Sequence, residues 1–393
     1  MQSYNKPSHI FITSSKRITP FLEMEIKELG YKIKKSYSTG IELSGTLNDC
    51  IHLNLNLRCA SQVLYSLKSF PCRNADELYK VVSEIQWESI IEKNGYFSIT
   101  SSVTNATINN PLFANVKVKD AIADRFRNKF NERPDSGSAL DKTVINLFWK
   151  DDLAEIFIDT SGETLSKHGY RKIPGKAPML ESLAAATILA TNWDRQSAFV
   201  NPMCGSSTLA IEATMLATNR RPGLFRDNYA FMHIIGYDES FYLKEKEKLS
   251  SQIETVPRLK ILATDISEDA INISKINAGA AGVSDLIEFK VGDFRETQVS
   301  QNEKGVVFFN PEYGERMGDE IELEQTYSAI GDFMKNECKG YFGYVFTGNL
   351  NLAKKIGLKP KRRIEFFNGK IDCRLLEFEL YSGSKRIDKQ NAL

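Results

Sequence analysis

No stretch of this 393-residue chain is apolar for the roughly 18–20 residues that a membrane-spanning helix needs, so no transmembrane segment is expected. The start, Met1-Gln2-Ser3-Tyr4, lacks a charged segment followed by an apolar one. A secretory signal is therefore not expected, and the expected compartment is the cytoplasm. Six cysteines are scattered without a Cys-x-x-Cys pair, and histidine occurs only four times. That pattern argues against a zinc site or a disulfide framework and for reduced thiols. Neither charge sign is in excess: 51 Lys and Arg face 50 Asp and Glu, a net charge of +1. Any basic surface for a polyanion must be local. Internal repeats and low-complexity tracts are missing as well. What remains, 42% hydrophobic and 26% charged residues, describes a globular protein too long for one core, with two or three domains.

The N-terminal segment reads as compact α+β. His9 to Ser15 is a strand, Thr19 caps a helix with Pro20 at its first position, and Gly30 lies past the helix end. Further strands are expected at 40–44 and 61–67, on either side of a helix through Ile51, Leu53 and Leu57. This order suits a ferredoxin-like layer. A second unit follows, with a helix over 75–91, a strand over 96–104 and a helix through Val116, Ile122, Phe126 and Phe130. Two β-rich runs around Lys150-Asp151-Asp152-Leu153 form a hairpin. Residues 161–177, rich in Gly and basic side chains, mark the main boundary. From Pro178 onward short apolar strands alternate with helices, the pattern of a parallel sheet covered on both faces. Asn368-Gly369 turns a closing antiparallel hairpin. Residues 219–257 form an irregular insertion between the first two strands of that sheet.

Ligands of an open parallel sheet bind beyond the carboxyl ends of its strands. Four informative positions fall there. The loop Pro202 to Ser207, at the start of a helix expected over 207–218, lets backbone approach a ligand closely. Asp265 ends the second strand, where a carboxylate can accept from ribose hydroxyls. Asp293 and the amide of Phe294 follow the third, placed to read an adenine edge. Asn310-Pro311-Glu312-Tyr313 follows the fourth, where an amide and a ring can grip a nucleobase. Neither Gly-Lys-Ser/Thr nor Gly-x-Gly-x-x-Gly occurs in the first loop, which argues against a triphosphate or NAD and leaves a smaller adenosine cofactor.

The succession Asn201-Pro-Met-Cys-Gly-Ser-Ser-Thr208, Thr264-Asp-Ile-Ser267, Gly292-Asp-Phe294 and Asn310-Pro-Glu-Tyr-Gly-Glu-Arg316 resembles the S-adenosylmethionine-dependent amino-methyltransferases. More narrowly, it resembles the THUMP-domain RNA guanine-N2 methyltransferases of bacterial large-subunit ribosomal RNA. Asp159-Thr-Ser-Gly-Glu163, His168-Gly-Tyr-Arg171 and Ala177-Pro-Met-Leu-Glu181 extend the likeness over nearly the whole chain. The resemblance implies a Rossmann-like doubly wound α/β methyltransferase sheet ending in an antiparallel hairpin, preceded by ferredoxin-like and THUMP domains. The expected divisions are 1–69, 70–162 and 163–383. It implies S-adenosylmethionine bound by Cys204, Gly205, Ser206, Ser207, Thr208, Asp265, Ile266, Asp293, Phe294 and Asn310. A guanine flipped out of its stack would be held by Asn310, the Pro311 carbonyl and Tyr313. RNA phosphates would meet Lys167, Arg171, Lys172, Lys176 and Arg316, with the Lys359-Pro-Lys-Arg-Arg363 cluster in support. The expected protein is a metal-free monomer acting on ribosomal RNA. Transfer RNA as substrate, adenine-N6 methylation of DNA, and a catalytically silent RNA-binding or ribosome-assembly factor are the alternatives. His168 and Cys204 are expected to be packing and loop residues, not catalysts. Three positions depart from the family: Glu312 replaces a proline, Asn201 stands where aspartate usually opens the first motif, and Ser207 stands where glycine is usual.

Overall fold

The computed structural model describes residues 5–108, 110–175, 178–300, 303–313 and 320–381. The chain divides into two compact units, Met1–Gly169 with Arg220–Ile253, and Tyr170–Asn219 with Glu254–Leu393.

The first unit contains β1 (Ser8–Thr13), α1 (Thr19–Glu28), β2 (Ile33–Tyr37), β3 (Gly40–Gly45), α2 (Leu47–Asn56), β4 (Gln62–Pro71), α3 (Ala75–Glu84), β5 (Tyr96–Thr104), α4 (Pro111–Phe130), β6 (Asp135–Gly137), β7 (Thr143–Lys150) and β8 (Leu153–Asp159). All eight strands form one sheet in the order β2-β3-β1-β4-β8-β7-β5-β6. The two portions expected from the sequence as separate layers thus share one continuous sheet. Tyr65 of β4 pairs with Ile10 on one side and Ile158 on the other. Alternation decides which side chains enter the core, as Ile10 and Ile12 do from β1. Thr19 does not cap α1 as its sequence position suggests. Ile18 occupies the cap position, and the Thr19 hydroxyl bonds Ser14 Oγ at 2.9 Å and the Ser38 carbonyl at 3.1 Å. The 75–91 helix also stops early, at Glu84, and resumes as a single tight turn at Trp87–Ser89.

The second unit begins with α5 (Glu181–Leu189), β9 (Ala198–Pro202) and α6 (Thr208–Ala217). The chain then returns to the first unit through residues 220–253, which include α7 (Glu239–Ser251). Arg226 donates to the carbonyls of Ser161 (3.2 Å) and Glu163 (2.9 Å), and the Phe231 amide donates to the Thr160 carbonyl at 3.1 Å. Read as an irregular insertion, this segment is a structured strap across the end of β8. The second unit resumes with β10 (Ile261–Asp265), α8 (Glu268–Ala280), β11 (Ile287–Val291), β12 (Gly305–Phe309), α9 (Glu320–Glu337), β13 (Phe342–Thr347), α10 (Leu350–Lys355), β14 (Arg362–Asn368) and β15 (Ile371–Glu379). Its sheet runs β11-β10-β9-β12-β13-β15-β14. The first five strands are parallel and the last pairings antiparallel, as expected for a doubly wound sheet closed by a hairpin. Gly369 at the hairpin turn takes φ +60°, the conformation Asn-Gly favours. On one face Val307 and Phe309 pack against Tyr327, Ile330, Phe333 and Met334. No helix among the described residues is long and apolar enough to cross a membrane.

Candidate active site

Strand order reverses between β9 and β12, each of which begins a run in the opposite direction across the sheet. At such a switch point the following connections diverge to opposite faces and leave a crevice. Asn201, at the end of β9, bridges it by donating from Nδ2 to the Phe308 carbonyl of β12 at 2.9 Å. Its Oδ1 is buried and has no hydrogen-bond partner among the described residues, so a cationic or hydroxyl donor of a ligand would satisfy it. In the sequence Asn201 stands out only as the residue that opens the loop motif in place of the family's aspartate, not as a ligand contact.

The loop after β9 is held by its neighbour β10. Cys204 N donates to the Thr264 carbonyl (3.0 Å), Gly205 N to Asp265 Oδ2 (2.9 Å), and Ser274 Oγ to the Gly205 carbonyl (2.9 Å). Met203, Gly205 and Ser207 all have positive φ, at 53°, 57° and 57°. Ser207 thus adopts a left-handed conformation that ordinarily favours glycine, and its chain reversal starts α6, whose ten residues are all buried. Ser206 is buried beside it. Burial pushes the Cys204 thiol up to about 12, which leaves it protonated and unfit as a nucleophile. Asp265 uses its other oxygen on Ser267 N at 3.0 Å, and Ile266 projects from the same turn with 74% exposure. Asp293 caps the turn Phe294–Glu296 and is paired through both oxygens with Arg295, whose hydrogen bonds hold the carboxyl below its ordinary range. The Phe294 ring packs edge-on against Phe309 and Phe333, at 5.8 and 6.0 Å. A small adenosine ligand, with ribose hydroxyls to donate, fits this set of acceptors and apolar surface: the orphan Asn201 Oδ1, the Asp265 carboxylate at the strand end, and the exposed Ile266 side chain beside it.

Across the crevice, Asn310 follows the fully buried strand β12. The Tyr313 hydroxyl donates to Asn310 Oδ1 at 2.8 Å, and its ring lies 6.2 Å from that of Phe346. Burial raises the Tyr313 phenol well above its ordinary value, so it is a neutral donor and not a base. Pro311 is buried and the Glu312 side chain is exposed. Two residues unremarked in the sequence hold this turn: Tyr327 of α9, whose hydroxyl donates to the Glu312 carbonyl at 3.2 Å, and Asn349, whose Nδ2 donates to the Tyr313 carbonyl at 3.2 Å. Gly348 lies beneath the ring, where a Cβ would stand 3.2 Å from Tyr313 Cδ2 and 2.5 Å from Ile371 Cγ2.

The expected RNA contacts fare unevenly. Lys167 and Lys172 are exposed. Arg171 is turned inward: its guanidinium donates to the Met179 carbonyl (2.6 Å) and Thr208 Oγ1 (3.0 Å) and lies 3.5 Å from Glu181. It braces the start of α6. Within the 359–363 cluster, Lys361 pairs with Glu379 at 3.1 Å and Arg362 with the buried Glu377. Lys176 and Arg316 lie outside the described residues. His168 is buried and bonds the Arg58 carbonyl at 2.9 Å, a packing role.

Comparison with known proteins assigns the chain to a family. The family described as RMKL-like, methyltransferase domain, matches residues 168–377. The chain belongs to the RMKL-like methyltransferase family. Ahead of that RMKL-like region, residues 72–159 match the THUMP domain and 9–64 the RlmL ferredoxin-like domain. The ribosomal RNA large subunit methyltransferase K/L of Psychromonas ingrahamii is 35% identical over 379 residues, covering 94% of this chain and 50% of its own length. The chain spans about half the length of the curated relatives it matches. Among solved structures, a possible methylase from Clostridium difficile 630 superposes with TM-score 0.86 at 29% identity, covering 97% of this chain and 100% of that one. SMU.472 complexed with SAH gives 0.85 at 26% identity, over 96% and 100%.

Proposed function

We propose that the protein transfers a methyl group from S-adenosylmethionine to the exocyclic N2 of a guanosine in 23S ribosomal RNA, in the cytosol. The observation that carries this reading is the pairing, across one switch point, of the 203–207 loop with the Asn310-Pro311-Glu312-Tyr313 turn. Cys204 to Thr208, Asp265, Ile266, Asp293 and Phe294 hold the cofactor, which supplies an electrophilic sulfonium methyl. SMU.472, of similar fold, is complexed with SAH. The guanine, extruded at a cost of roughly a few kcal/mol, lies against the Tyr313 ring. Its amino hydrogens point to Asn310 Oδ1 and the Pro311 carbonyl. Oδ1 has two lone pairs, so it keeps the Tyr313 bond and still accepts from the base. With both hydrogens engaged, the N2 lone pair faces the methyl. The N–C bond forms as the C–S bond electrons return to sulfur, and the N2 proton then leaves to water. Alignment carries the rate, and no strong base is required. The THUMP domain and Lys167 and Lys172 hold RNA, with Lys176 and Arg316 as further candidates.

The test is methyl incorporation from labelled S-adenosylmethionine into deproteinised 23S ribosomal RNA and, separately, transfer RNA, with mass-spectrometric assignment of the product. N2-methylguanosine in ribosomal RNA alone, abolished by Asn310→Ala with S-adenosylhomocysteine binding intact, is the expected result. Label in transfer RNA alone moves the substrate. Absence of S-adenosylhomocysteine binding overturns the reading in favour of a silent assembly factor.

A further inference from the structure

Three successive carbonyls, of Pro311, Glu312 and Tyr313, line the turn after β12. Two of them are tied to other elements: Glu312 to Tyr327 of α9, and Tyr313 to Asn349 ahead of α10. Among the described residues no hydrogen bond engages the Pro311 carbonyl, the one assigned to the base. Proton counting orders the rest. Tyr327 has one hydroxyl proton, and the Glu312 carbonyl can only accept it. The 2.8 Å bond between Tyr327 Oη and Thr347 Oγ1 is therefore donated by Thr347, whose oxygen accepts from Asn349 N at 3.1 Å. A directed relay runs from Asn349 N through Thr347 and Tyr327 to Glu312. Asn349 closes it a second time through its side chain. Its Oδ1 caps α10 by accepting from Asn351 N (3.0 Å) and Leu352 N (3.1 Å), which forces Nδ2 toward Tyr313. Tyr327 and Thr347 are both fully buried, so the relay works away from water, where hydrogen bonds are stronger.

We propose that Tyr327 and Asn349 are positioning residues of methyl transfer: they lock the Glu312 and Tyr313 peptides so that the Pro311 carbonyl and Asn310 amide face the base. The assignment rests on the base-holding reading above. A helix cap alone does not need asparagine. Aspartate or serine caps as well and lacks the N–H that reaches Tyr313. Capping and clamping are separable on that ground.

The experiment compares Asn349→Asp, Asn349→Ser, Asn349→Ala, Tyr327→Phe and Asn310→Ala in the full chain, on ribosomal RNA from cells lacking the enzyme. Thermal melting, S-adenosylhomocysteine titration, kcat and KM are read for each. In Asn349→Asp and Asn349→Ser the cap persists, so melting and the S-adenosylhomocysteine Kd stay within about twofold of the parent. Turnover falls about 10- to 100-fold, in kcat and not in KM. Tyr327→Phe shows the same kcat loss, and Asn349→Ala adds a lowered melting temperature. Parental kcat in Asn349→Asp and Tyr327→Phe, with Asn310→Ala inactive, overturns the clamp and leaves the base-holding reading standing. Parental kcat in Asn310→Ala overturns both.

Discussion

Ser207 shows how a single residue reports on its site. Its φ of 57° is a conformation that costs an L-residue roughly 1–2 kcal/mol, and the loop needs it to turn from β9 into α6. Glycine would remove that strain while raising the unfolded chain's entropy by about 0.5–1 kcal/mol, so Ser207→Gly is expected to stabilise by roughly 0.5–1 kcal/mol. The measurement is the midpoint of the thermal transition that S-adenosylhomocysteine raises, which marks the methyltransferase unit. An unchanged or lower midpoint would mean that the serine hydroxyl contributes more than the backbone loses. The loop residues were legible from sequence because Pro, Gly and Ser between an apolar strand and an apolar helix admit few other readings. The inward turn of Arg171 is hidden for the opposite reason. A charged residue in a glycine-rich segment reads as exposed, and nothing local shows that Glu181 and Thr208 wait for it.

Among elements, legibility followed periodicity. The parallel strands of the methyltransferase sheet are short, apolar and bounded by turn residues, so the pattern marks each to within a few residues of its ends. Strand β2 leaves no such signature, because Ile33–Tyr37 is an edge strand with polar exposed residues and no alternation. Tyr327 and Asn349 escaped notice because their partners lie 15 and 36 positions away. At the end of β8 a buried carboxylate gives the first unit a pH dependence. Burial pushes Asp159 up to about 7, against hydrogen bonds from Ser161 N, Gly162 N and Gln62 that favour its charge. A carboxyl whose pKa is higher folded than unfolded stabilises below its unfolded value and loses that contribution as pH rises through the folded one. The stability of this unit is expected to fall between about pH 4 and pH 7 on account of Asp159. Urea denaturation followed across that range should show the slope in the parent and a flatter profile in Asp159→Asn. Equal slopes would assign the dependence to other groups.

On the scale of the whole molecule, the chain leaves the methyltransferase unit after Asn219 and returns at Glu254, and the two ends of that excursion are adjacent. Glu254 N donates to the Thr218 carbonyl at 2.9 Å. The strap between them carries an aromatic cluster, Tyr229 stacked on Phe231 with centroids 4.9 Å apart and Tyr242 against both, buried in the first unit. Severing the chain after Gly169 therefore strips this cluster of its cover, and residues 170–381 alone are expected to aggregate. Because the exit and entry points already meet, replacing 220–253 with a short Gly-Ser linker costs little closure entropy. The shortened methyltransferase unit should fold and bind S-adenosylhomocysteine like the full chain. Analytical ultracentrifugation and calorimetric titration of the two fragments, with and without the strap, decide the matter. If the strap-containing fragment is monodisperse and the linker version is unfolded, the strap stabilises the catalytic sheet and its packing on the first unit is incidental.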